Sequence, residues 1–184
     1  MRTRFPIVLL ACVTLATAQD NAAKKPRPKP NEQAQRGRKL FLESPKGKPC
    51  GTCHTMDGIG ASVGPDLTKM ATYAMPRGVV VAMRMSMAET VQMVKPVSGP
   101  GFPGVLQQKE AENIEIWDLS MTPPTLRTFK AAAIQSMKRD ERWKHPPSMA
   151  GYDGNELADI VAFLKWAATG SSKTVTVEEV ETTQ

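Results

Sequence analysis

The spacing of hydrophobic positions changes along the chain, and each change marks an element. From Asn31 onward, Ala34, Gly37 and Phe41 fall at i, i+3 and i+7, which is one face of a helix, and Asn31 is a good N-cap. A second helical pattern fills residues 153–170, "DGNELADIVAFLKWAATG". Leu157, Ile160, Val161, Leu164 and Ala168 make its apolar stripe. Asp153 and Glu156 read as a capping box, and Gly170 as the stop. Gly37 costs the first helix about 1 kcal/mol relative to alanine. A close crossing by another helix would explain that cost.

Between these helices the period shortens. Residues 76–89 read as a Met-rich helix carrying Met83, Met85 and Met87. From about Thr90 to Lys130 come the strand-like runs "TVQMVKPV", "GFPGVLQQ", "NIEIWDL" and "TLRTFK". Turn signals, "SGPG" and "TPP" among them, separate these runs and predict a small antiparallel sheet. After Gly170 the tail "SSKTVTVEEVETTQ" is polar and is expected to fray. No internal repeat is visible.

The N-terminus places the chain outside the cytoplasm. "MRTRFPIVLLACVTLATA" has a basic start, a short apolar run and a small-x-small end, Ala16-Thr17-Ala18. That is the pattern of a cleaved secretory signal over residues 1–18. Lipoprotein processing at Cys12 is the weaker alternative, because Leu10 is uncommon in a lipobox. Cleavage removes Cys12, so Cys50 and Cys53 remain and no disulfide framework is possible. The formal charge is +6, and loss of Arg2 and Arg4 brings it to +4. Residues 19–30, "QDNAAKKPRPKP", alternate basic residues with prolines and read as an extended linker. The functional reading of this basic linker is a weak contact with an anionic membrane surface, and a solvated spacer is the simpler one. Export argues against nucleic acid as a partner. Aromatic residues are only 5% of the chain, so a bound apolar cofactor could supply missing core volume.

The chemistry concentrates in "KPCGTCHTMDGIG", residues 48–60. A closed zinc site needs four ligands. Cys50, Cys53 and His54 offer three, with His145 the only other histidine. A redox disulfide of the thioredoxin kind wants a βαβ setting, which the pattern does not suggest. Covalent haem needs two thiols spaced C-x-x-C with a histidine directly after, and this stretch has both. Each thiol can form a thioether with one vinyl group, and the histidine then lies under the iron. The export signal agrees independently with haem c, one per chain.

With these residues in view, the chain resembles class I cytochromes c over residues 31–70 and 138–169. The resemblance rests on "QRGRKLF", "CGTCH", "GIGASVGPDL" and "PPSMAGYDGNELADIVAFLKW", in that order. A looser similarity, in the strand-rich middle, is to haem-binding domains attached to larger bacterial dehydrogenase-like proteins. The first resemblance implies a mainly α, cytochrome c-like fold. In it a small antiparallel β insert would separate the CxxCH half from the axial-methionine half. It implies a cytochrome c domain over 31–169, with the insert at about 90–130 and a flexible tail over 170–184. Phe41, Ile160 and Phe163 would meet where the terminal helices cross. Cys50 and Cys53 would bind haem, His54 would ligate iron, the Pro65 carbonyl would orient His54, and Leu67 would pack on the haem. Met149 would be the second iron ligand, with His145 its rival, and Arg142, Trp143 and Lys144 are candidates to bond the propionates. The implied role is an exported, periplasmic electron carrier and not an enzyme, working between a donor dehydrogenase and an acceptor oxidase or cytochrome. The alternative is a haem domain with an open or labile sixth site, binding a small ligand or serving a dehydrogenase complex.

Overall fold

The structure, a computed structural model, describes residues 27–85, 91–146 and 151–181. The signal sequence, Met87 and Met149 lie outside the described residues.

Helix α1 spans Glu32–Glu43, and the Asn31 side chain accepts from the Ala34 amide at 2.8 Å. Helix α4 spans Gly154–Thr169. It starts in the Asp153–Glu156 capping box and stops at Gly170, whose left-handed φ of 74° suits glycine. The two helices meet at Gly37. A Cβ there would stand 1.8 Å from the Asp159 carbonyl oxygen, so only glycine permits the approach. Beside it, Phe41 packs on Phe163 with ring centroids 5.3 Å apart. Arg36 grips the Asp159 carboxylate with two hydrogen bonds, 2.7 and 2.9 Å.

Two shorter helices, α2 (Thr68–Tyr73) and α3 (Pro76–Arg84), pack against α4 through Ala71, Val79 and Val80. Lys165 of α4 donates to the Ala71 and Ala74 carbonyls at 2.7 and 2.9 Å. It thereby satisfies acceptors left open at the end of α2. The polar tail does not fray over the described residues. It forms a short helix, α5 (Val177–Val180), with its own Thr176–Glu179 capping box, and it buries Val175 and Val180 in the helical core. At the other terminus, the Arg27 guanidinium lies 5.2 Å from the centre of the Trp166 ring and pairs with Asp57. The Pro28 carbonyl accepts from the Trp166 indole at 2.8 Å.

A two-stranded hairpin, β1 (Thr55–Met56) and β2 (Ile59–Gly60), turns through Asp57-Gly58, both at positive φ. The main sheet has β3 (Val91–Pro96), β4 (Phe102–Lys109), β5 (Asn113–Asp118), β6 (Thr125–Lys130) and β7 (Ile134–Arg139). Its order is β6-β5-β4-β3-β7, antiparallel throughout. Strands β3 to β6 coincide with the four strand-like runs. Strand β7 lies past the anticipated end near residue 130 and crosses back to pair with β3. The sheet has its own core of Val94, Phe102, Ile114 and Ile116, with Phe129, Ile134 and Met137 at its margin.

That independent core corrects the expectation of a mainly α, cytochrome c-like fold carrying a small insert. The described residues are 36% helix and 25% strand, and their five-stranded antiparallel sheet is a layer in its own right. The physical reason is β7. By returning to the far edge of β3, it turns a local meander into a sheet able to bury one face.

Gly37→Ala should destabilise the protein by about 3 kcal/mol, the upper range for overpacking a tight contact. The sign opposes the helix preference for alanine, and the shift in the urea unfolding midpoint measures it.

Candidate functional site

The C-terminal end of α1 delivers the chain to the cysteine motif. A single helical turn over Cys50–Thr52 follows Pro49, and the Cys53 and His54 amides both donate to the Cys50 carbonyl, at 3.1 and 2.9 Å. Gly51 is buried beneath α1, where a Cβ would lie 2.8 Å from Leu42 and 3.0 Å from Phe41. The motif is thus seated on the helix that precedes it.

The next loop fixes the histidine. The Val63 and Gly64 amides donate to the Cys53 carbonyl at 3.0 and 2.7 Å, and the Leu67 amide donates to that of Thr55 at 2.9 Å. His54 Nδ1 lies 2.8 Å from the Pro65 carbonyl. A carbonyl only accepts, so Nδ1 carries the proton and Nε2 keeps its lone pair. Gly64 lies against the ring, and a Cβ there would come within 2.8 Å of Cε1. Burial lowers the His54 pKa; the Pro65 bond opposes this and nearby His145 adds to it. The result is a neutral, oriented imidazole.

Both thiols are free of any disulfide. Burial pushes Cys50 up to about 11, and it raises Cys53 against a smaller lowering by Lys48. Redox-active and metal-binding cysteines are marked by lowered values, so these are protonated thiols near neutral pH. Among the described residues, no group of three or more His, Cys, Asp or Glu side chains is placed to hold a metal ion. The zinc alternative therefore lacks a ligand set there.

Cys50, Cys53, His54, Pro65 and Leu67 all line one cleft of about 280 Å³. Val63 of the loop, with Met70 and Met83 of the helices, adds to the lining, as do Val91 and Val105 from the sheet and Leu119 and Pro124 from the β5–β6 turn. Lys48, Trp143 and His145 also border it. The His145 ring centroid is 5.9 Å from that of His54, and Trp143 meets His145 edge-on at 6.0 Å. Arg142 and Lys144 are exposed beside this pair.

The donor set and the cleft fit a covalent haem: two protonated thiols, an imidazole with a free Nε2, and apolar walls on both sides. The individual sheet residues that line the cleft were not anticipated from the sequence, nor was the packing of Gly64 on His54. Only the adjacency of Gly64 to Pro65 hinted at the latter. No protein-family model matches the chain, and comparison with curated proteins gives no match.

Gly64→Ala should push the His54 ring off the Pro65 carbonyl and cost about 1–3 kcal/mol. Urea unfolding measures the loss, with exposed Ser62→Ala as the control that changes little.

Proposed function

We propose that this is an exported c-type haem protein that carries single electrons between redox partners. The observation that supports it most strongly is the pinned neutral imidazole of His54 beside two protonated thiols in an apolar cleft. When bound, haem supplies one-electron chemistry by cycling its iron between ferric and ferrous.

The residues have separable tasks. Cys50 and Cys53 would hold the haem through two thioether bonds and so retain it in both oxidation states. His54 would offer Nε2 as a ligand, while the Pro65 carbonyl holds its tautomer and would raise its basicity. Val63, Leu67 and Met70 exclude water from one side, and Val91, Val105 and Leu119 from the other. A drier cleft disfavours the extra positive charge of the ferric state, so both walls tune the potential.

The signal sequence supports a periplasmic or otherwise exported setting. The excess of basic residues favours acidic donor and acceptor proteins, whose docking would slow as salt rises. The link to c-type cytochromes rests on "CGTCH" and "VGPDL", and needs no common fold beyond the site. Met149, the second ligand that the resemblance implies, lies outside the described residues.

Expression of the full chain in a host with haem-attachment machinery should yield red protein. Its mass should exceed that of the mature polypeptide by one haem, which acidified solvent fails to extract. Cys50→Ala and Cys53→Ala should each remove one thioether, and the shifted alkaline pyridine spectrum of the ferrous protein would show it. Colourless protein with both thiols open to alkylation would end the proposal.

A further inference from the structure

The geometry points to His145 as the second axial ligand of the iron, opposite His54, which would make this a two-histidine haem. The inference rests on the haem reading above and departs from the methionine that the resemblance implies.

Two independent features carry it. The first is spacing. A metal ion held between two imidazoles by bonds of about 2 Å keeps their ring centroids roughly 6 Å apart. His54 and His145 stand at 5.9 Å, across the same cleft, although 91 positions separate them in the chain. The rings are tilted by 36° and do not stack face to face. Two ligands gripping one ion from opposite sides are free to differ in rotation about the bond axis.

The second feature is the tautomer. His145 Nδ1 lies 2.7 Å from the Pro146 carbonyl, just as His54 Nδ1 lies 2.8 Å from that of Pro65. Each carbonyl accepts the Nδ1 proton, so each ring keeps its Nε2 lone pair for a ligand. Ligating histidines are typically held this way, by a carbonyl or carboxylate on the other nitrogen. Trp143, edge-on at 6.0 Å, further limits rotation of the His145 ring. A histidine that was merely part of the surface would need neither restraint.

The test uses the full chain matured with haem. Wild-type ferric protein should be low-spin, with the electron paramagnetic resonance of two imidazoles and no far-red sulfur-to-iron band. His145→Ala should lose that low-spin spectrum, bind carbon monoxide readily when ferrous, and recover the original spectrum on adding free imidazole. His145→Met should gain the far-red band and a higher potential, because a thioether favours ferrous iron.

A low-spin spectrum unchanged in His145→Ala would overturn the inference. So would a far-red band in the wild type that Met149→Ala alone removes. If His145→Ala fails to accumulate, the wild-type resonance and far-red spectrum decide the matter. In each of these cases the haem assignment survives, because the protein is red. Colourless wild type would sink the haem reading, and this inference with it.

Discussion

The contact between Gly37 and the Asp159 carbonyl is the constraint on which the remaining architecture depends. It lets α1 and α4 approach with no side chain between them, and Arg36 then closes a charged clasp over the same spot. The consequences run outward along both helices. α1 ends in the loop that seats Gly51 and presents the two cysteines. α4 begins where Tyr152 bonds Ser44, and where Lys46 reaches Glu156 and the Gly151 carbonyl. Widening the crossing would move both the cysteine motif and the start of α4.

Among the described residues there are two hydrophobic cores that share no residue. One is built from helices around Phe41, Ile160 and Phe163, the other from the sheet around Val94, Phe102 and Ile116. The cleft takes Leu67, Met70 and Met83 from the helical side, and Val91 and Val105 from the sheet face opposite Val94 and Phe102. An apolar group bound there would cover this second face of the sheet and the helical lining together. This also suits the low aromatic content, since a porphyrin would supply a large rigid surface that the side chains do not. The sheet is then more than an elaborated loop. It supplies part of the lining of the pocket that holds the cysteine motif, through Val91 and Val105.

The sequence made the helices readable because each hides a single face, so period, cap and stop agree at Asn31, Asp153 and Gly170. Gly37 was legible for a related reason: a glycine in mid-helix is costly unless something needs the space. The cysteine motif was legible because C-x-x-C-H confines all three donors to five consecutive residues. The size of the sheet was not. Strand β7 follows Ala131-Ala132-Ala133 and carries weak alternation, and its partner β3 lies some forty positions back, which no local pattern records. The tail helix α5 escaped notice because it buries just Val175 and Val180 from an otherwise polar stretch. At the site, Pro65 and Leu67 were found through the motif that follows the cysteines. Val91, Val105 and Leu119 were missed because they reach the cleft only through sheet topology. His145 was weighed below Met149 on local context, and its distance from His54 is a fact of the tertiary structure alone.

The strap at Arg27 and Pro28 settles where whatever precedes the folded body must join it. That junction sits against Trp166, near one pole of α4. The ties from Lys46 to Glu156 and Gly151 lie near the opposite pole, beside the Lys48 rim of the cleft. At 1.5 Å per residue the two poles are about 20 Å apart. Arg27 also pairs with Asp57, three positions past His54, so a pull on the leading segment would reach the hairpin that follows the cysteine motif as well as α4.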